Sequence, residues 1–202
     1  TGVGSDGIAV LSRSDDAGAD FECRIINPDG SEAGFSGNGT RCAVAYAHFN
    51  GLWNDRDLRL KTKSGIKTYR LAETISPGHY WFDAEIGKPR FSGVEIPFAG
   101  GDDLTTVIDA AVLVDDREYL VSCVNVGNPV ACVFVDDFFL DWREVGRKLE
   151  RHSAFPDRAN IVFVKCLDRE NIELRIWERG AGETSASGTC SSGAAVLSAL
   201  TN

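Results

Sequence analysis

Two glycine-rich stretches, EAGFSGNGTRCAVA (Glu32–Ala45) and ETSASGTCSSGAAV (Glu183–Val196), follow one pattern 151 residues apart. In each, a glutamate stands four residues before a Ser-Gly pair, and a run of small side chains typical of a helix comes next. Only four aligned positions are identical, so the match alone fits duplication and coincidence about equally well.

The chemistry of these stretches adds weight to a duplication. Each Ser-Gly step precedes a helix N-terminus, where free N–H groups and the helix dipole favour a bound carboxylate. Two facing copies would grip one carboxylate and present one side chain to each face of the neighbouring carbon, the geometry of a two-base racemase. The alternative is that both are glycine turns that only cap structural helices, which describes most such turns.

The elements around the first stretch alternate between strand and helix. IAVLS and DFECRIIN are typical strands, and residues 38–50 predict a helix capped by Asn38 and stopped at Gly51. DLRLKTKSGIKTYRL predicts a hairpin about Ser64 and Gly65, and HYWFDAEIG a further strand.

The elements around the second stretch are similar. AVLVDDREYLVSCVNVG predicts a hairpin about Asp115 and Asp116, ACVFVDD a strand, and FLDWREVGRKLERH an amphipathic helix. NIVFVKCLD and NIELRIWERG complete a second sheet, and residues 189–200 a last helix. The pattern predicts an α+β fold of two similar domains, residues 1–90 and 91–202, each a mixed or antiparallel sheet wrapped around a central helix.

Composition excludes several classes of function. The chain has a net charge of −9 and no run of Lys and Arg residues, which argues against a nucleic-acid partner. No apolar run reaches the roughly 20 residues of a spanning helix, so we expect no membrane partner and a cytoplasmic location. The six cysteines and three histidines are scattered, which favours buried free thiols over a metal site. A start without methionine and an end inside a helix pattern suggest a fragment or a trimmed fold.

Three longer segments resemble a known family. NPDGSEAGFSGNGTRC at residues 27–42, GNP at 127–129 and ERGAGETSASGT at 178–189 are similar to the signature segments of diaminopimelate epimerases, in the same order and spacing. GVGSDG at residues 2–7 also resembles that family's glycine-rich segment. The resemblance implies paired α/β domains with the active site in the cleft between them, no cofactor, a small amino-acid substrate, and a homodimer as one candidate assembly.

The resemblance also assigns roles to individual residues. Ser36 and Ser187 occupy the positions of the family's catalytic acid and base. The residues matching its α-carboxylate site are Gly37, Asn38, Gly188 and Thr189. Those matching the site for the distal amino and carboxylate groups are Asn27, Asn128, Asn160 and Arg179, with Glu178 an acid beside it. A planar guanidinium suits a carboxylate because it binds it bidentately, whereas a surface ion pair is the ordinary alternative for an arginine.

Three departures from the family pattern bear on the chemistry. Ser36 and Ser187 replace thiols, and Val130 stands where the family usually has a histidine. A helix N-terminus lowers the pKa of a cysteine, but a serine normally needs an adjacent base. Designed Cys-to-Ser changes would account for the serines and not for Val130, so a divergent natural member has comparable weight.

The sequence therefore predicts an epimerase that converts LL- to meso-diaminopimelate in lysine biosynthesis by proton transfer at Cα. One alternative is a catalytically silent or divergent amino-acid-binding protein. Another is a different racemase, isomerase or lyase on the same scaffold, because a site that removes a proton beside a carboxylate can serve several reactions.

Overall fold

A computed structural model describes residues 4, 5, 7–99 and 106–201. The chain divides into two compact units, Thr1–Gly87 and Lys88–Asn202. Half of the GVGSDG segment, residues 2, 3 and 6, lies outside the described residues. Within these ranges, no helix is both long and apolar enough to cross a membrane.

Unit 1 is a mixed sheet that packs against one helix. Its elements are β1 (Ile8–Arg13), β2 (Phe21–Ile26), β3 (Glu32–Ala33), α1 (Gly37–Phe49), β4 (Asp57–Thr62), β5 (Gly65–Ser76) and β6 (His79–Ala84). The strand order is β1-β2-β4-β5-β6, and β3 pairs with the C-terminal end of β2. The α1 side chains Ala43, Val44 and Ala47 pack into a core with Leu58 and Leu60 of β4. Strands β2 and β4 are parallel because α1 connects them.

Unit 2 is a second mixed sheet with two helices. Its elements are β7 (Ala110–Val114), β8 (Arg117–Asn125), β9 (Pro129–Phe134), α2 (Trp142–Glu150), β10 (Asn160–Cys166), β11 (Ile172–Glu178), β12 (Gly182–Thr184) and α3 (Gly188–Thr201). The order is β12-β11-β10-β9-β8-β7. Two apolar clusters form its core, one that includes Trp142 and Leu149 of α2, and one that includes Ala194 and Leu197 of α3. Sequence reasoning had missed the short strands β3 and β12.

Local turn chemistry explains one correct prediction and one wrong one. The predicted hairpin at Asp115 and Asp116 is present, and both residues have positive φ (48° and 62°), as a type I′ turn requires. Asn38 is not the cap of the first helix. Ser36 is the cap, because its backbone is extended and its hydroxyl accepts a hydrogen bond from the Gly39 N–H.

Strand pairing shows that the two units are related. Ile25 and Ile26 of β2 pair with Ala33 and Glu32 of β3. Ile176 and Trp177 of β11 pair with Thr184 and Glu183 of β12, each 151 residues after its counterpart. The offset between the two Ser-Gly turns therefore extends through a whole strand, hairpin and helix. The predicted α+β fold with two similar domains is confirmed.

Candidate active site

The first Ser-Gly turn forms the start of α1. Ser36 is extended (φ −135°, ψ 114°), and its Oγ accepts a hydrogen bond from the Gly39 N–H at 3.2 Å. The Ser36 carbonyl accepts from the Thr40 N–H at 2.9 Å and from the Thr40 hydroxyl at 2.6 Å. The Ser36 side chain is thus the N-cap of the helix.

The second Ser-Gly turn repeats this geometry at the start of α3. The Ser187 Oγ lies 3.5 Å from the Cys190 N–H, which donates to it, and its carbonyl accepts from the Ser191 N–H at 2.9 Å. The Ser187 Oγ also lies 3.4 Å from the Thr189 Oγ1. Ser187 is 6% exposed, so its hydroxyl is held inside the turn.

The glycine after each serine leaves its helix terminus open. A Cβ added at Gly37 or at Gly188 would meet no other atom within 4 Å. These positions therefore admit the close approach of a ligand carboxylate to the first-turn amides. Of their neighbours, Asn38 is exposed and accepts a hydrogen bond from Arg41, whereas Thr189 is buried.

Glu178 is the last residue of β11, and Arg179 follows it in the turn that joins β11 to β12. The Thr184 hydroxyl donates to the Glu178 Oε1 at 2.8 Å. The Arg179 N–H donates to the Asn160 Oδ1 at 2.9 Å, and its guanidinium Nη1 donates to the Asp157 carbonyl at 3.1 Å. Burial lowers the pKa of Arg179 from its ordinary value, while the charges of Asp157 and Glu150 oppose that shift. Arg179 is a partly desolvated cation, as a carboxylate-binding arginine would be.

The three predicted asparagines have different surroundings. Asn160 is 4% exposed, and its Nδ2 donates to the Pro129 carbonyl at 3.1 Å, so its amide connects the start of β9 to the Arg179 turn. The Asn27 Nδ2 donates to the Ser31 Oγ at 3.0 Å in the β2–β3 turn. Asn128 lies in the turn between β8 and β9, half-buried.

The predicted site residues thus fall into two groups. Asn27, Ser36, Gly37 and Asn38 belong to unit 1. The members in unit 2 are Asn128, Asn160, Glu178, Arg179, Ser187, Gly188 and Thr189. In both units the Ser-Gly turn follows directly after the second strand of its hairpin and begins the next helix.

Val130 is part of the core of unit 2. It is fully buried in β9, and a Cβ added to Gly193 of α3 would lie 3.1 Å from its side chain. Close packing between β9 and α3 therefore fills the position at which the family usually carries a histidine. A larger polar ring there would displace α3 or leave its nitrogens without partners.

Two functional candidates in unit 2 were missed from the sequence. Thr184 holds the Glu178 carboxylate, and Glu150 of α2 accepts hydrogen bonds on both sides of Arg179. The sequence contained a signal for Glu150, because a carboxylate in the last turn of a helix is unfavourable beside the helix dipole unless it has a specific partner. For Thr184 the sequence contained no signal apart from its position in the repeat.

A cavity of about 300 Å³ opens in unit 2 beside the start of α3. It is lined by Trp142, Leu174–Ile176, Glu183–Ala186 and Ser191. None of the residues predicted from the sequence lines it, although Ala186 and Ser191 lie on either side of the Ser187–Gly188 turn.

The native cysteines do not replace the missing thiols. Cys190 lies in the first turn of α3 and is fully buried, and burial raises its pKa to about 12. Cys42 is exposed on the outer side of α1. Among the described residues, no group of three or more His, Cys, Asp or Glu side chains is placed to hold a metal ion.

Solved structures with this fold include two from other enzyme groups. A hydroxyproline epimerase from Agrobacterium vitis superposes with a TM-score of 0.72 at 17% identity, covering 96% of this chain and 60% of that one. A PhzF-family phenazine biosynthesis protein of Bacillus anthracis gives 0.62 at 19% identity, covering 98% and 67%. At such identities the likeness shows the fold alone.

Sequence comparison is more specific. The family model for diaminopimelate epimerase matches residues 1–89 and 122–202. The diaminopimelate epimerase of Neisseria meningitidis is 39% identical, covering 93% of this chain and 65% of the relative. That of Moorella thermoacetica is 38% identical, covering 99% and 70%. The chain spans about two thirds of the length of these relatives, and it belongs to the diaminopimelate epimerase family.

Proposed function

We propose that this protein is an amino-acid epimerase that interconverts LL- and meso-diaminopimelate, a step of lysine biosynthesis, by two-base proton transfer. One serine position takes the Cα proton, and the other gives a proton to the opposite face. The observation that carries the proposal is the pair of matching Ser-Gly turns, each opening a helix with an unobstructed glycine, in a chain of this family.

The helix termini would supply the stabilisation that a cofactor supplies elsewhere. Removing a proton beside a carboxylate places negative charge on the carboxylate oxygens. First-turn N–H groups at Gly37 and Gly188 point out of the two helices, and the helix dipoles favour that charge. We accordingly expect neither pyridoxal nor a metal. A pyridoxal absorbance band or stoichiometric zinc in the purified protein would contradict this mechanism.

The distal end of the substrate is assigned to the turn after β11. Arg179 is a partly buried cation, and Glu178 in the same turn suits an ammonium group. Asn27, Asn128 and Asn160 complete the proposed set. A substrate with an amino and a carboxylate group at both ends matches this distribution of charge.

The serines limit the rate of the proposed reaction. A Ser36 or Ser187 hydroxyl that takes a Cα proton must first exist as an alkoxide, which is rare near neutral pH without a base. Both hydroxyls already accept a capping N–H. That hydrogen bond favours the anion, but it is weaker than general-base assistance. We expect a slow enzyme.

Solvent deuterium exchange tests the proposal directly. The protein is incubated in D₂O with LL- and with meso-diaminopimelate, and deuterium at Cα is followed by proton NMR. Incorporation above that in a protein-free sample, together with the appearance of the other stereoisomer, is the expected result. Binding of either stereoisomer without any exchange would reject the enzyme.

The second candidate is a catalytically silent diaminopimelate-binding protein of the same family. It is favoured by the capping bonds, because a serine that only caps a helix retains the anion site without acid-base chemistry. Calorimetric binding without α-proton exchange identifies it. A cytoplasmic location and a homodimer stay predictions for either candidate.

A further inference from the structure

Glu150, the last residue of α2, is a buried carboxylate that the proposed mechanism does not use. It is 3% exposed. Burying a carboxylate costs several kcal/mol unless hydrogen bonds and opposite charges compensate it. Its contacts therefore indicate what the chain gains by burying it.

The two oxygens of Glu150 bind on either side of Glu178 and Arg179. Oε2 accepts from the Trp177 indole N–H at 3.1 Å, and Oε1 accepts from the Gly180 backbone N–H at 3.1 Å. One carboxylate thus holds both ends of the two-residue segment assigned to the distal groups of the substrate.

Two arginines add positive charge to this arrangement without closing on the carboxylate. Arg158 Nη1 lies 3.6 Å from Oε1, and Arg151 Nε lies 3.9 Å from Oε2. Both are about half exposed, so the shortest bonds of the buried charge go to Trp177 and Gly180. The Glu150 carboxylate therefore makes its hydrogen bonds to the β11–β12 segment, and its ion pairs with the two arginines are longer.

The corresponding turn in unit 1 shows that the hairpin itself needs no such acid. There the Asn27 N–H donates to the Ser31 carbonyl, and the Ser31 hydroxyl binds Asp29, all on the surface. Asn27 and Pro28 stand 151 residues before Glu178 and Arg179. The buried acid is therefore found only beside the turn of unit 2. There the charged residues Glu178 and Arg179 stand at the positions that the neutral residues Asn27 and Pro28 hold in unit 1.

We propose that Glu150 is a positioning residue that fixes the Glu178–Arg179 segment for recognition of the distal end of the substrate. It acts through the Trp177 indole and the Gly180 amide, and it does not touch the ligand. The assignment of the ligand rests on the proposed function, whereas the fixing of the segment is a property of the free protein.

The test compares Glu150→Gln with Glu144→Gln, a half-exposed acid on the same helix that pairs with Arg147 and Lys148. The two donors lie at different oxygens of Glu150, and in glutamine one of these oxygens is replaced by an NH₂ group, which cannot accept a hydrogen bond. We expect Glu150→Gln to speed hydrogen exchange of the Gly180 amide at least about tenfold while the β10 amides stay protected. We also expect it to weaken diaminopimelate binding about tenfold. Glu144→Gln should change neither.

A double-mutant cycle separates positioning from general loss of structure. In the Arg179→Ala background, Glu150→Gln should cause a clearly smaller further loss of affinity, because one of the two groups it positions is gone. Additive losses, or unchanged Gly180 exchange, would overturn the proposal. If the parent protein binds no diaminopimelate, the proposed function fails, and Gly180 exchange alone decides the positioning role.

A milder variant, Trp177→Phe, tests the proposal if Glu150→Gln does not fold. Trp177→Phe keeps an aromatic ring at this position and removes the indole donor, together with the ring atoms that lie against Gly182. We expect it to speed Gly180 exchange about threefold, because Glu150 is then held at one oxygen. No change in that rate would also count against the proposal.

Discussion

Helices α1 and α3 begin in the same way and pack in different ways. Relative to the shared Ser-Gly start, α1 buries Thr40 and Val44, whose counterparts Ser191 and Ala195 in α3 are exposed. The reverse also holds, because Leu197 is fully buried and its counterpart Tyr46 is 59% exposed. The two helices therefore use different faces.

The neighbouring strands explain the difference. In unit 1, Thr40 is hydrogen-bonded to the Tyr69 hydroxyl of β5, so β4 and β5 cover that face of α1. In unit 2 the counterpart Ser191 lines the cavity of about 300 Å³, and α3 packs with Gly193 against Val124 and Val130 instead. The capped turn survives two kinds of packing because its hydrogen bonds are local.

The preceding turns differ in charge as well. Unit 1 closes its turn with surface hydrogen bonds of Asn27 and Ser31, whereas unit 2 uses Glu150, Glu178 and Arg179. Only unit 2 therefore carries charged side chains in the turn that the proposed function assigns to the distal groups of the substrate.

The largest expected effect concerns that charged turn. Arg179→Ala should weaken diaminopimelate binding by about 2 to 5 kcal/mol, because it leaves a partly buried carboxylate without its partner. Arg175→Ala removes only an ion pair with Glu173 (2.7 Å), so it should weaken diaminopimelate binding by less than about 1 kcal/mol. Titration calorimetry gives both values. Equal losses for Arg179→Ala, Ser36→Ala and Ser187→Ala would contradict the roles assigned here.

The next effect tests whether the two capped turns act as a pair. Ser36→Cys combined with Ser187→Cys should raise epimerisation at least about tenfold, which requires about 1.4 kcal/mol of barrier lowering. The helix N-termini favour a thiolate far more readily than an alkoxide. Each single variant should gain much less, since one face then still lacks its thiol. A folded double variant that binds substrate yet exchanges no α-proton would show that the catalytic pair is misplaced.

A smaller effect concerns the caps as structure. Ser187→Ala should lower the free energy of unfolding by about 1 to 2 kcal/mol, and Ser36→Ala by about half as much. The difference arises because Ser187 is 6% exposed, so its loss leaves a buried amide unbonded. Ser191→Ala, an exposed α3 position, is the control for helix propensity. The measurement is urea denaturation. Equal losses of unfolding free energy for Ser36→Ala and Ser187→Ala would show that the two caps do not differ in this way.

The smallest effect separates the open glycine of α3 from the packed one. Gly188→Ala meets no atom within 4 Å and should change the free energy of unfolding by no more than about 0.5 kcal/mol. Gly193→Ala should destabilise by about 1 kcal/mol, because its Cβ would lie 3.1 Å from buried Val130. If thermal unfolding shows Gly193→Ala to be stabilising, the β9–α3 contact is looser than described.

The sequence by itself determined the local parts of this protein. The repeated Ser-Gly pattern predicted both helix starts, and Asp115 and Asp116 predicted a hairpin, because caps and tight turns depend on a few adjacent residues. The family and the candidate residues also followed from short, contiguous segments.

Only the tertiary structure decided which helix face is buried, that Val130 packs against Gly193 of α3, and that Glu150 reaches the Arg179 turn. Glu150 and Gly180 are 30 residues apart, and Val130 and Gly193 are 63 apart. Such contacts depend on how sheets and helices stack, and small-residue helices such as α1 and α3 carry too weak an apolar stripe to specify it. The prediction that Asn38 caps α1 was wrong for a related reason. Serine and asparagine are both good N-caps, and only the backbone conformation shows that Ser36 is the cap.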